Sequence, residues 1–406
     1  MRHIELPESP LRGSREFFSR LDQHGIVNGV SAWLMACTGP FVVMLDVAVS
    51  SDVSSEQLSS WVLASFGFGG LLSIVCSLVY RMPMGLAWTI PGSILLGGAL
   101  EHLPYEQCIG AFVVTGGVIT VLGVTGWVGK IAALIPLNVV MGMVAGVFLP
   151  FVLKVISAFE FDALLAATVV FTFVAVSAVP RVARIVPPIV ACALVGLVVL
   201  GLTHPSTLST LPSLGVATPV FVGPVFTWAA TAELVLPLTV TVIGIHNLQG
   251  FAVSQANGYT PPRNTLTTLC GIGSFAYAAL GAVPTCVTGP ANALLNASGE
   301  KRNRYVGGVV FGALMLVFGV FAPLTTAVAL SLPLAFIGLV GGLAMFDVLR
   351  SAFLTAFSGR LSIGALTAFI VTVADQPILN IGAPFWAVVF GVGLAYLFER
   401  RGLKDD

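Results

Sequence analysis

Apolar runs about twenty residues long follow one another from residue 26 to residue 399, and the gaps between them are too short to hold a soluble unit. A helix rising about 1.5 Å per residue crosses the roughly 30 Å hydrocarbon core in that length, so lipid is the solvent for most of this chain's surface. Composition agrees. Charged residues make up 9% of the chain and mean hydropathy is +0.99, whereas soluble domains carry about 25% charge. Eighteen Lys and Arg balance eighteen Asp and Glu, leaving no basic field for nucleic acid. Cys37, Cys76, Cys108, Cys192, Cys270 and Cys286 stand at no metal-ligand spacing, and most lie in apolar stretches. A disulfide framework, a metal centre and a cofactor are therefore not expected. An enzyme would need buried catalytic acids or metal ligands, and an ATP-driven pump a Gly-x-x-x-x-Gly-Lys loop. Glu233 is the only acidic residue well within a span, and no such loop is present in the sequence.

The pattern predicts an all-α polytopic membrane protein with fourteen segments: 26–46, 60–80, 84–100, 108–129, 131–157, 161–179, 185–203, 229–252, 264–281, 284–298, 305–328, 331–348, 361–375 and 383–399. With both termini cytoplasmic, the inside loops hold Arg81, Lys130, Arg181, Arg184, Arg263, Lys301, Arg302, Arg304, Arg350 and Arg360, as the positive-inside rule requires. The outside loops then carry Asp46, Asp52, Glu56, Glu101, Glu106, Glu160, Asp162 and Asp375, with Lys154 snorkelling among them. Residues 1–25 form a cytoplasmic head of mixed charge without a signal-peptide cleavage site, its Phe17, Phe18 and Leu21 set against lipid headgroups. Segments 1–7 occupy residues 26–203, a Pro-rich external linker 204–228, segments 8–14 residues 229–399, and a cytoplasmic tail 400–406. An odd number of segments per half makes the halves inverted repeats, so unusual features recur half a chain apart.

They do. Segment 3 is interrupted by Pro91-Gly92 and segment 10 by Gly289-Pro290, with Pro91 and Pro290 199 positions apart. Proline and glycine mid-span argue against straight helices there. An extended piece over Met84–Thr89 gives about 20 Å at 3.3 Å per residue, and a half-helix from Pro91 to Leu100 adds about 15 Å, together enough to cross. Thr285–Thr288 followed by a half-helix opening at Gly289-Pro290 repeats this in the second half. Backbone of this kind is tolerated only against protein or a water-filled cavity. The two half-helix starts then face each other near the midplane, each a positive dipole end with free N–H groups.

Gly244–Phe251, GIHNLQGF, is the densest polar cluster inside a span. Its His246, Asn247 and Gln249 read either as substrate contacts or as hydrogen-bonding glue between helices. Glu233, nearer the outer end of the same span, reads as an interfacial or gate residue.

GIHNLQGF with Asn257–Pro262 (NGYTPP), Ala87–Gly97 (AWTIPGSILLG), Glu300–Leu314 and Gly382–Val392 resemble the benzoate–proton symporter family over nearly the whole chain. The resemblance implies a core domain from segments 1–4 and 8–11, a gate domain from segments 5–7 and 12–14, elevator-type alternating access and a homodimer. It also implies a site between segments 3 and 10, flanked by 1 and 8. Two departures stand out: His246 where that family more often has Gln, and Gln249 in place of Pro.

The expected function is secondary transport of a small organic anion, an aromatic or other carboxylate such as benzoate, coupled to protons and located in a bacterial inner membrane. A nucleobase or inorganic-anion carrier, or an anion channel on the same fold, is the alternative. Substrate contacts are expected from Thr38, Trp88, Pro91, Gly92, Ser93, His246, Asn247, Thr288, Gly289, Pro290, Ala291 and Asn292. The donors are the N–H groups of Gly92, Ser93, Ala291 and Asn292, since Pro91 and Pro290 have none. His246 is the expected proton carrier, because histidine alone has an unperturbed pKa near 6.5 and no carboxylate stands deep in the span. Gly142, Gly146, Gly338, Gly341 and Gly342 are expected to allow close helix approach, either at the dimer interface or within one protomer.

Overall fold

Extended backbone inside a bilayer needs hydrogen-bond partners, and the two interrupted spans supply them to each other. In the computed structural model, which describes residues 4–7, 9–51, 53–128, 136–203, 215–359, 361–379 and 381–399, strand β1 (Leu86–Trp88) pairs antiparallel with β2 (Thr285–Val287). The register sets Leu86 against Val287, Ala87 against Cys286 and Trp88 against Thr285. Beyond the strands, Thr89 donates its N–H to the Pro284 carbonyl (3.1 Å) and Thr288 donates to that of Gly85 (3.0 Å). Two serines a half-chain apart support the outer edges: Ser73 Oγ accepts from Leu86 N (2.8 Å) and Ser274 Oγ from Thr285 N (3.2 Å).

Helices fill the rest. The first half runs α1 (Arg12–Arg20), α2 (Gln23–Thr38), α3 (Pro40–Ser50), α4 (Ser55–Val62), a π-helical stretch Leu63–Phe68, α5 (Gly69–Tyr80), β1, α6 (Ile90–Leu100) and α7 (Tyr105–Thr125). It continues with α8 (Leu137–Phe161), α9 (Ala163–Ala178), α10 (Pro180–Ile185) and α11 (Pro188–Thr203). The second half contains α12 (Trp228–Val240), a π-helical stretch Thr241–Asn247, α13 (Leu248–Ala256), α14 (Arg263–Ala279), β2, α15 (Gly289–Leu295) and α16 (Tyr305–Val320). It ends with α17 (Ala322–Leu330), α18 (Leu334–Ala356), α19 (Ser362–Ala374) and α20 (Ala383–Phe398). Six helical runs among the described residues are long and apolar enough to span a bilayer, or seven if α16 and α17, bent by 69°, count as one. Five shorter apolar helices, among them α6, α9, α11, α19 and α20, complete the apolar mass.

Proline and local caps set many helix ends. Pro40 opens α3 beside Gly39, dividing the first span. Ser54 and Gln57 exchange the two bonds of a capping box at the start of α4. The helices flanking the strand pair pack crosswise between the halves, α5 on α16 and α7 on α14. A second group gathers on α8, against α18 and α19. Glycines let these backbones touch: a Cβ at Gly142 or Gly146 would meet α19, and one at Gly342 would meet Phe151 and Val155 of α8. Gly338 receives the Lys154 stem and Gly341 faces Val42. These five glycines therefore serve packing within one protomer, one of the two readings the sequence allowed.

The head is not a loose flap. Tyr305 Oη donates to the Gly13 carbonyl (3.1 Å), and Gly13 lies against Leu78 of α5 with no room for a side chain. The Glu5 carboxylate accepts from Thr265 N (2.9 Å) and Asn264 N (3.3 Å) at the start of α14. Glu16 accepts from Arg12, Arg20 and Arg81. The hydrogen bond from Arg12, with the charge of Arg81, holds the Glu16 carboxyl below its ordinary pKa against an opposing desolvation. Phe18 still faces outward, as expected. Arg2, Glu8, Asp52, Lys130, Arg360, residues 131–135 of the fifth segment, linker residues 204–214 and the tail 400–406 lie outside the described residues.

Candidate functional site

The antiparallel strands put the starts of α6 and α15 at opposite ends of the pair, Thr89 bonded to Pro284 at one end and Thr288 to Gly85 at the other. Their two openings differ chemically. Helix α6 begins at Ile90, one residue before the proline expected to open it, because Thr89 takes the N-cap position. Thr89 Oγ1 accepts from Gly92 N (3.2 Å) and the Thr89 carbonyl accepts from Ser93 N (3.1 Å). The two donors that the sequence assigned to substrate on this side are thus used inside the helix cap. At α15 the cap residue Thr288 makes no side-chain cap bond. Here the Asn292 N–H returns to the Thr288 carbonyl (3.1 Å). Of the four expected backbone donors, Ala291 N is the one for which the cap provides no such bond.

Asn292 is also a framework residue. Its Oδ1 accepts from Gly85 N (3.0 Å), and its Nδ2 donates to the carbonyls of Thr288 (2.7 Å) and Gly85 (3.3 Å). Ser93 is fully buried, and its hydroxyl turns back to the Thr89 carbonyl (3.5 Å). Thr38 likewise donates to its own helix, at Leu34 O (2.7 Å). Trp88 is buried with its ring centroid 4.7 Å from that of Phe66, and its Nε1–H has no partner among the described residues.

Of the polar cluster in the eighth span, His246 and Asn247 end the π-helical stretch, which packs against β2, and Gln249 lies in the first turn of α13. Asn247 Oδ1 accepts from Val287 N (2.8 Å), so one end of this amide braces the strand while Nδ2 stays buried and unpartnered. Both ring nitrogens of buried His246 lack partners too. Buried donors without acceptors are uncommon and costly in a folded protein. Gln249, which the sequence singled out without placing it in the site, covers Gly289 so closely that a Cβ there would strike it. Pro290 follows at N2 of α15.

Two cavities open at opposite ends of one seam between α8 and α12. The first, about 510 Å³, is bounded by Val47, Ile94, Phe151, Leu234 and Gly382 and carries the charged or titratable side chains Asp46, Glu101, His102, Lys154, Glu233 and Asp375. The second, about 380 Å³, is apolar, with Val140, Met141, Ile243 and Leu248 as walls and Thr239 and Gln249 as its polar side chains from α12 and α13. His246 lines neither. Asp46, expected in a loop, is instead within α3 and 2% exposed. Its Oδ2 accepts from Lys154 of α8, so that lysine is paired rather than simply snorkelling. Glu233, also buried, pairs with His102 (3.0 Å) and lies on Gly382, the cap of α20. Asp46 was missed because its neighbours are so apolar that a span end was drawn through it.

The profile of the family described as "Benzoate membrane transport protein" matches residues 20–397. The chain is 26% identical over 377 residues to Inner membrane protein YdcO of Escherichia coli (strain K12), covering 92% of this chain and 95% of that one. It is also 26% identical over 376 residues to the Benzoate membrane transport protein of Acinetobacter baylyi (strain ATCC 33305 / BD413 / ADP1), covering 91% and 93%. Among solved structures, the fold is similar to murine Slc26a9, an anion transporter captured inward-facing (TM-score 0.65, 14% identity, 97% of this chain and 71% of that chain). It is similar as well to the transmembrane domain of the cyanobacterial bicarbonate transporter BicA (TM-score 0.58, 14% identity, 92% and 97%).

Proposed function

Because the chain belongs to the benzoate membrane transport family, an anion transporter and not an enzyme, we propose that it carries a small carboxylate such as benzoate, with a proton, by alternating access. The observation that carries the anion reading is the set of buried polar groups without partners, Trp88 Nε1 on β1 and Asn247 Nδ2 and the His246 ring nitrogens on the π-helical stretch packed against β2, together with a start of α15 that has no side-chain cap. No carboxylate accompanies them, so the position favours a ligand that accepts hydrogen bonds. In this reading the carboxylate of the substrate meets Thr288, Gly289 and Ala291 at the helix end. Its ring extends into the apolar 380 Å³ cavity, a volume within the usual range for small-molecule sites.

Fourteen segments in two inverted sevens, with both termini cytoplasmic, complete the proposal. The strand pair and the helices packed around it form the moving core, and α8–α11 with α18–α20 the gate domain, through which two protomers associate. Orientation has its own test. A single cysteine at Glu106, exposed beside the start of α7, should label from outside, and one at exposed Arg302 only from inside. The reverse pattern would sink the topology.

Transport is tested in proteoliposomes with radiolabelled benzoate. Uptake should saturate, show counterflow and accumulate substrate when the interior is alkaline, with a protonophore abolishing accumulation. A linear flux indifferent to the pH gradient would instead identify a channel and remove both coupling and alternating access.

A further inference from the structure

The 510 Å³ cavity is set between helices of the two proposed domains. Asp46 (α3), His102 (after α6) and Glu233 (α12) come from the core side, and Lys154 (α8) and Asp375 (after α19) from the gate side. One carboxylate oxygen of Asp46 holds Lys154, while the other, Oδ1, is buried without a partner. A carboxylate with a vacant acceptor, 2% exposed near the end of an apolar helical run, is the most demanding group on this seam. The remaining groups facing it are Glu101, His102, Glu233 and Asp375, so acids outnumber the single lysine. Among the described residues, none from α2, α17 or α18, the other helices packed on α3, lines the cavity.

We propose that this cavity is a second, outer loading site for the carboxylate substrate and its proton, with Asp46 taking the proton and Lys154 the carboxylate. The inference rests on the proton-coupled reading above. A proton from the outer solution adds to Asp46 and neutralises it, and the Lys154 ammonium, still protonated, exchanges that partner for the substrate's carboxylate. Proton and anion enter together, so the net charge of the cavity is unchanged. The neutralised Asp46 can then leave Lys154 without stranding a buried carboxylate, the outcome that makes breaking such pairs unfavourable. Lys154 also stands 4.9 Å from the centroid of the Phe151 ring, which gives an aromatic substrate an apolar neighbour at the same point. The overlooked carboxylate thereby replaces His246 as the proton carrier.

The test uses purified full-length protein, benzoate as the probe, and two readouts across the acid-to-neutral range: binding affinity and proton uptake on binding. Wild type should take up a proton with benzoate and bind more weakly as pH rises. Asp46→Asn, which mimics the protonated acid, should bind with an affinity indifferent to pH and take up no proton. Lys154→Gln should weaken binding about tenfold or more, with Lys154→Arg restoring most of it, as expected for loss and return of a charge-assisted bond. Should Asp46→Asn fail to fold, the neutral pair Asp46→Asn with Lys154→Gln removes the stranded charge and should likewise take up no proton. Wild-type proton uptake retained in either variant overturns the assignment while leaving coupling intact. Absence of proton uptake by wild type overturns the coupled reading itself, and this assignment with it.

Discussion

Asn292→Ala should lower the stability of the protein in mild detergent by about 2–4 kcal/mol, well beyond the loss of one ordinary hydrogen bond. The Asn292 amide bonds Gly85 N, Gly85 O and Thr288 O, joining the start of β1 to the first turn of α15. Removing it leaves the Gly85 N–H buried without its acceptor, which alone costs about 1–3 kcal/mol. The sequence reads Asn292, just after a Gly-Pro break, as a substrate contact. Thermal unfolding followed by size-exclusion chromatography measures the shift. A variant as stable as wild type but with weakened benzoate binding would restore the ligand role and remove the framework one.

Gly92→Val should abolish uptake, whereas Gly117→Val should leave it within about twofold of wild type. A Cβ at Gly92 would meet the Thr89 side chain that caps the helix and Leu238 of α12, while one at Gly117 meets nothing within 4 Å. Overpacking of this kind costs about 1–3 kcal/mol, and here it acts on the cap residue Thr89, which follows directly on β1. Initial rates of benzoate uptake, normalised to folded protein, provide the measurement. Wild-type transport by Gly92→Val would mean that the α6 opening is remote from the transport path.

Much of the architecture was legible because lipid imposes simple rules. The segment lengths, the paired Pro-Gly breaks and the extended residues before each were set by period and by proline chemistry. The pairing of β1 with β2 was not, since three residues per strand carry no register signal of their own. Site chemistry was legible only as far as residue type. Ser93 and Asn292 look like ligand groups in the sequence, yet the backbone claims their side chains first, because unpaired buried amides are worse than an unfilled pocket. Asp46 was hidden by its own apolar neighbours, and only the approach of Lys154 from a helix more than a hundred residues away identifies it.

Residues 86–88 find their partners at 285–287, with most of the second half still to be made when the first strand enters the bilayer. During synthesis, Leu86–Trp88 must therefore wait in a sheltered place, screened by Ser73 on one side and still open on the other. The molecule cannot finish its first half before it has received its second. Two separately encoded halves, divided within the linker between α11 and α12, should each be degraded when made alone and protect one another when made together.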